Sequence, residues 1–175
     1  MDRRVRRTRE ALHAALMALI VEKGFDAITI QDVIDEADIG RTTFYEHFSG
    51  KEALLRFGFE RLRDELARYH LEDKVDKRLS FLEPLLRHAR AHAGLYAALL
   101  GGGGGRIADE TFRAIVGELI AREFSDDKAT DPIVMALLIG ALVGALQFWI
   151  SAGAHGAGDD VALAVRRTAA AHMTS

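Results

Sequence analysis

Cysteine is absent from this sequence of 175 residues, and proline occurs only twice. Without cysteine the chain forms no disulfide bond of its own and offers neither a thiol nucleophile nor a metal site held by thiolates, a composition compatible with a reducing cytoplasm. Aromatic residues make up only 7% of the chain, and no stretch alternates apolar and polar residues as a half-buried β-strand would. The net charge of −3 gives no indication of a nucleic-acid partner for the chain as a whole.

Apolar residues recur at helical spacing along almost the whole chain, which predicts an all-α protein. In the N-terminal third we predict three helices, over residues 6–23, 29–37 and 41–48. Gly24 ends the first helix, because glycine adopts the left-handed conformation at low cost. Thr29 caps the second helix with its hydroxyl. Two short helices joined by a tight turn, packed on a preceding helix, predict a helix-turn-helix unit.

The last two predicted helices cover about 132–152 and 159–173, and residues 132–158 contain no Asp, Glu, Lys or Arg. A stretch of this length could span a membrane, or it could be buried between two copies of the chain. Gln147 and the lack of a basic flank favour the homodimer helix over the membrane anchor. The glycines at 101–105 predict a loop, because a glycine run loses too much backbone entropy in a helix.

The third predicted helix has two distinct sides. At about 100° per residue, Phe44 and Phe48 share one side, while Thr42 and Thr43 fall on the other with Tyr45 at its edge. Short hydroxyls and a phenol can approach phosphates and base edges in a DNA groove. Arg41 can reach a guanine or a phosphate, and Lys51 lies where a long fourth helix begins. A basic arm at the N-terminus adds sequence-independent attraction for DNA; it consists of Arg3, Arg4, Arg6, Arg7 and Arg9.

This part of the chain resembles the DNA-binding domain of the TetR family of bacterial transcriptional regulators. The resemblance rests on residues 25–55, which read FDAITIQDVIDEADIGRTTFYEHFSGKEALL. It implies an all-helical homodimer of about nine helices, with a DNA-binding domain over 1–48 and an effector-binding and dimerisation domain over 49–175. It also implies a cytoplasmic, ligand-responsive repressor that binds a near-palindromic operator. An activator or a ligand-independent regulator of the same fold remains the alternative.

The resemblance also implies roles for individual residues. Tyr45, His47 and Lys51 would contact phosphates, as would Thr29, and the residues just before the tyrosine would read bases or backbone; these are Arg41, Thr42 and Thr43. The chain departs from the family pattern in the turn, where Asp38-Ile39-Gly40 stands in place of the Gly-Val-Ser of many members.

The C-terminal part is more loosely similar to the branch of regulators that resemble dihydroxyacetone-kinase activators. Candidate ligand-binding residues there are His92, Tyr96, Phe112, Phe148 and Trp149, although aromatic residues at helical spacing also occur in an ordinary core. His88 and His92 have a spacing that can hold a metal, but no third ligand is evident. We therefore predict no metal and no cofactor. The sequence shows no nucleophile–base pair or nucleotide loop, so we predict no enzymatic activity.

Overall fold

Nine α-helices make up the secondary structure of the residues that the computed structural model describes, which are 3–72, 79–101, 105–123, 131–154 and 158–173. The prediction of an all-α protein is therefore confirmed for these residues. The helices are α1 (Arg3–Lys23), α2 (Ile30–Glu36), α3 (Arg41–His47), α4 (Lys51–Glu72), α5 (Leu82–Ala91), α6 (Ala93–Leu100), α7 (Gly105–Glu123), α8 (Pro132–Ser151) and α9 (Gly158–Met173).

The N-terminal unit consists of α1, α2 and α3, and α1 is its central element. Helix α1 packs against α2, α4 and α6. It ends where predicted, because Gly24 adopts a φ of 76° and its N–H donates to the carbonyl of Ile20 at 3.0 Å. Since α1 contacts both the helix-turn-helix and α6, the N-terminal unit adjoins the later helices. The predicted boundary at 48/49 stays a prediction.

The remaining helices pack against one another, and α5 and α7 also pack against α4. Helix α4 packs against α7 as well as α1, and α8 packs against α6, α7 and α9. A partly buried ion pair ties α9 to α5, with Arg166 Nη2 and Glu83 Oε2 2.6 Å apart. Helices α1 and α4 thus both connect the N-terminal unit to the later helices.

The first helix starts earlier than predicted and includes the whole basic arm. Helix α1 begins at Arg3 rather than at residue 6. Arg9 lies against aromatic rings, with its guanidinium carbon 4.2 Å from the ring centroid of Phe57 and 5.2 Å from that of Phe48. This cation–π packing places Arg9 between the N-terminal unit and α4. Of the predicted glycine loop, residues 102–104 lie outside the described residues, and Gly105 begins α7.

Candidate nucleic-acid interface and adjoining cavity

A reciprocal capping box begins α2. Thr29 Oγ1 accepts from the Asp32 N–H at 3.1 Å, while Asp32 Oδ2 accepts from the Thr29 N–H at 2.7 Å. The Thr29 hydroxyl also donates to Asp32 Oδ2 at 2.7 Å, and Lys23 Nζ lies 2.9 Å from the same oxygen. The hydrogen bond from the Thr29 backbone, followed by the one from Lys23, lowers the pKa of Asp32 to about 2. The carboxylate is therefore charged at neutral pH, and the hydroxyl of Thr29 is already hydrogen-bonded.

The turn between α2 and α3 has an aspartate in a conformation that favours glycine. Asp38 has a φ of 51°, in the left-handed region. Its N–H donates to Asp35 O at 3.3 Å, and the N–H of Ile39 donates to Ile34 O at 3.0 Å. These two bonds form a Schellman motif, in which the residue at the position of Asp38 is usually glycine. Gly40 follows as the N-cap of α3 and makes no side-chain cap.

Helix α3 buries one side and exposes the other, as predicted. Phe44 is fully buried and Phe48 nearly so, whereas Tyr45 is 48% exposed. Thr42 is exposed, and Thr43 is partly exposed. His47 is also partly exposed near the end of the helix. The structure therefore brings the predicted contact residues of α3 to one accessible face.

Arg41, the first residue of α3, contacts a side chain of α2. Its Nη1 donates to Gln31 Oε1 at 3.5 Å, and Gln31 Nε2 donates to Asp35 Oδ1 at 2.7 Å. The Arg41 guanidinium carbon is also 5.9 Å from the ring centroid of Tyr45. These contacts at exposed positions leave the guanidinium at the edge of the α3 face.

Lys51 has a different environment from the one that its sequence position suggests. Its Nζ donates to three backbone carbonyls, those of Phe25 at 2.9 Å, Asp26 at 3.2 Å and Ile28 at 2.7 Å. An ammonium group has three hydrogens, so each of them has a protein acceptor. A phosphate contact through this ammonium would require one of the three bonds to be given up.

A cavity of about 260 Å³ adjoins this unit, where α1 and α4 meet α5, α6 and α7. His92, Tyr96 and Phe112, which the sequence suggested as ligand-binding residues, all line it. Periodicity did not identify the contribution of α1 to its wall, His13 and Met17, or the two charged residues of α4, Arg61 and Glu65. The other lining residues are Leu55, Gly58, Phe59, Leu62, His88, Leu95, Leu99 and Leu100.

Phe148 and Trp149, the other two residues that the sequence suggested for ligand binding, do not line this cavity. Phe148 is 77% exposed on the outer side of α8. Trp149 is buried, and the guanidinium carbon of Arg90 lies 5.3 Å from its ring. Consecutive residues on a helix point about 100° apart, so an exposed Phe148 places Trp149 toward the core.

The histidines in the cavity wall have lowered pKa values. Burial, and secondarily the charge of Arg61, lowers the pKa of His13 to about 4. Burial also lowers the pKa of His88, with a smaller contribution from His92, and burial raises the pKa of the Tyr96 phenol. Tyr96 is thus protonated, and its oxygen lies 3.0 Å from His88 Nδ1. Across the described part of the chain, no group of three or more His, Asp or Glu residues could hold a metal ion.

The outer face of α8 is apolar and has no partner within the described chain. Ile133 is 70% exposed and Leu137 is 53% exposed, in line with Phe148. Gly140 and Gly144 lie in the same row, and a Cβ added at either would meet no atom within 4 Å. By length and composition alone, α8 is also long and apolar enough to cross a membrane, which by itself is weak evidence.

Comparison with known sequences locates the similarity in the N-terminal unit. The sequence model of a family described as "Bacterial regulatory proteins, tetR family" matches residues 12–56. The chain is 45% identical over 62 residues to the uncharacterized HTH-type transcriptional regulator YxbF of Bacillus subtilis (strain 168), covering 35% of this chain and 16% of YxbF. It is 35% identical over 52 residues to a second such regulator of that strain, YdeS, covering 30% of this chain and 26% of YdeS. The matched segment thus spans only a small part of each relative.

Comparison with solved structures extends the similarity of fold to the whole chain. A TetR transcriptional regulator from Streptococcus agalactiae 2603V aligns over 96% of both chains with a TM-score of 0.74 and 24% identity. The dihydroxyacetone kinase operon activator DhaS aligns over 95% of this chain and 96% of its own, with a TM-score of 0.65 and 18% identity. NalD, the secondary repressor of the MexAB-OprM multidrug efflux pump in Pseudomonas aeruginosa, aligns over 94% of both chains with a TM-score of 0.65 and 20% identity. At these identities the similarity establishes the fold.

Proposed function

We propose that the protein is a cytoplasmic transcriptional repressor that binds operator DNA as a homodimer, because residues 12–56 match the TetR family of bacterial regulatory proteins. The observation that carries this proposal is the accessible face of α3. The hydroxyls and the phenol on this face lie outside the core, while Phe44 and Phe48 pack the opposite side of the helix into the core. Such a helix can enter the major groove of DNA.

Within this face we assign different contacts to different residues. Arg41, Thr42 and Thr43 contact base edges or the nearby backbone, and Tyr45 and His47 contact phosphates. We place Thr29 and Lys51 at the border of the face, as two further residues next to phosphates. For both of them, phosphate contact competes with the hydrogen bonds that they already make within the protein.

We propose that a second copy of the chain covers the apolar face of α8, with α9 contributing beside it. Leu163 on α9 is exposed as well. Because Gly140 and Gly144 have no side chains on this face, two α8 helices could approach closely there. A two-fold pair would present two α3 helices to half-sites about 34–36 Å apart, or a multiple of that spacing, so the operator should be near-palindromic.

We further propose that the cavity is the effector site. Its wall includes His13 and Met17 of α1, which carries the helix-turn-helix, so a bound molecule would touch the DNA-binding unit itself. Such a molecule would shift the equilibrium only if it prefers the conformation whose two α3 helices do not fit the operator.

The decisive experiment is selection of bound DNA from a random pool by the purified chain and by Tyr45→Ala. We expect the wild-type protein to enrich a near-palindromic sequence. Tyr45→Ala should bind that sequence at least about tenfold more weakly, because it loses a phosphate contact and its packing with Arg41. Circular dichroism and gel filtration should show unchanged helicity and oligomeric state. No enriched sequence, or equal binding by the variant, would refute the assignment of the α3 face.

A reporter gene under the enriched sequence tests the direction of regulation. Repression predicts lower expression when the protein is present. Higher expression would show an activator instead.

A further inference from the structure

The cavity wall contains two opposite charges that do not pair with each other. Arg61 and Glu65 lie one turn apart on α4, and both line the cavity. Among the residues that the structure describes, neither has an oppositely charged group within 4.0 Å. The Arg61 guanidinium instead lies 5.8 Å from the ring of Phe57. Both charges are therefore available to a ligand that enters the cavity.

The size and the aromatic lining of the cavity suit a small ring compound. A cavity of about 150 Å³ is known to hold benzene, so a cavity of about 260 Å³ holds roughly ten non-hydrogen atoms. Most side chains that line the cavity are apolar, and three of them, Phe59, Tyr96 and Phe112, carry aromatic rings. The rings of Tyr96 and Phe112 are nearly perpendicular with centroids 6.0 Å apart, and the rings of Phe59 and Phe112 are tilted at the same separation. A flat ring fits against such a lining better than a branched aliphatic group.

The two charged residues of the cavity wall, Arg61 and Glu65, lie near different neighbours. Arg61 lies near His13, whose pKa its charge helps to lower. Glu65 lies near His88 and Tyr96, whose pKa values it acts to raise. Because His13 is neutral near pH 7, Arg61 supplies the positive charge there. Four residues along a helix are about 6 Å, which is comparable to the distance between opposite substituents on one aromatic ring.

We propose that the cavity binds a single-ring aromatic acid that carries a carboxylate at one end and a hydroxyl donor at the other. The carboxylate accepts from the Arg61 guanidinium, whose planar fork suits this group. The hydroxyl donates to the Glu65 carboxylate, and the ring lies on Phe112. An effect of this ligand on DNA binding rests on the proposed function, whereas binding of the ligand to the cavity does not.

Calorimetric titration of the full chain without DNA tests the proposal, with 4-hydroxybenzoate, benzoate, phenol and benzylamine as probes. We expect 4-hydroxybenzoate to bind most tightly, because among these four probes it alone has a group for Arg61 and a hydroxyl donor for Glu65. Arg61→Gln should weaken binding of 4-hydroxybenzoate and benzoate by about tenfold and leave phenol unchanged. Glu65→Gln should remove the advantage of 4-hydroxybenzoate over benzoate. Arg68→Gln is the matched control, because Arg68 is exposed on the same helix but does not line the cavity.

Proton NMR of the histidine rings locates the bound probe. Addition of 4-hydroxybenzoate should shift the imidazole signals of His13, His88 and His92. The proposal is overturned if no probe binds at millimolar concentration, if 4-hydroxybenzoate binds no more tightly than benzylamine, if Arg61→Gln and Arg68→Gln have equal effects, or if those signals do not move. Since no DNA is present, failure here leaves the DNA-binding proposal intact, and failure of DNA selection leaves this result intact.

Discussion

Replacement of Lys51 by methionine distinguishes the structural role of this residue from a direct role in DNA binding. Methionine keeps most of the apolar stem but removes the ammonium. The carbonyls of Phe25 and Ile28, at 2.9 and 2.7 Å, are partly buried, whereas the bond to Asp26 is exposed. Water can replace the exposed bond at little cost. The Phe25 carbonyl keeps the Ile28 N–H as a donor at 3.2 Å, so the variant leaves only the partly buried Ile28 carbonyl without its donor. We therefore expect the variant to lose about 1–3 kcal/mol of unfolding free energy.

Urea unfolding followed by circular dichroism measures this loss. The midpoint should fall while the slope m stays the same, because the surface exposed on unfolding does not change. Lys23→Met is the matched control, because Lys23 makes only a surface pair with Asp32 at 2.9 Å. That pair is worth at most about 1 kcal/mol. If Lys51→Met is no less stable than Lys23→Met, the reasoning from the three carbonyl bonds is wrong.

The salt dependence of operator binding then tests the phosphate role of Lys51. A lost phosphate contact reduces the slope of log K against log salt by about one. If the ammonium stays on the three carbonyls in the complex, Lys51→Met should lower the affinity through misplacement of α2 but leave the slope unchanged. We expect a slope reduced by about one, because we place Lys51 next to a phosphate, and an unchanged slope would reject this placement. A slope reduced by one unit would show that Lys51 contacts phosphate directly.

Three further predictions concern the turn, the α8 face and the cavity. Asp38→Gly should raise the unfolding free energy by about 0.5–1 kcal/mol in urea titrations, because glycine tolerates the φ of 51°; a loss of stability would contradict this. Phe148→Glu should convert the proposed dimer to monomer in analytical ultracentrifugation, because it places a charge on the face that the partner covers; an unchanged mass would reject that face. Since the pKa of His13 is about 4 when folded and near 6.5 when unfolded, the unfolded chain binds more protons between these values, and stability falls as pH falls. Wild type should therefore lose about 2 kcal/mol more than His13→Gln between pH 7 and pH 5, and equal losses would refute this.

The sequence predicted those features of the fold that depend on neighbouring residues. The two sides of α3 follow from the positions of Phe44 and Phe48 alone. The cap at α2 depends on two residues three positions apart, and the structure makes that capping box complete. Local spacing is sufficient for both, because the partners lie within one helical turn.

The features that the sequence did not predict depend on contacts between distant segments. The carbonyls bound by Lys51 lie 23 to 26 residues away along the chain. The cavity combines His13 of α1 with Arg61 of α4 and Tyr96 of α6, and periodicity does not indicate which helices face one another. Helix α8 is apolar on all sides, so its pattern could not show that Phe148 points outward while Trp149 points inward.

Helix α4 gives the proposed regulator a direct route from the cavity to the DNA-binding face. Lys51, at its first residue, holds the carbonyls of the α1–α2 loop, and Arg61 enters the cavity ten residues later, about 15 Å along the same helix. A ligand that draws Arg61 toward its carboxylate would displace a rigid element, so the displacement would reach the loop through Lys51. The cavity also contacts α1 through His13 and Met17. Because the ligand would act on both helices that position α2 and α3, loss of the Lys51 bonds should weaken the coupling between ligand and DNA without abolishing it.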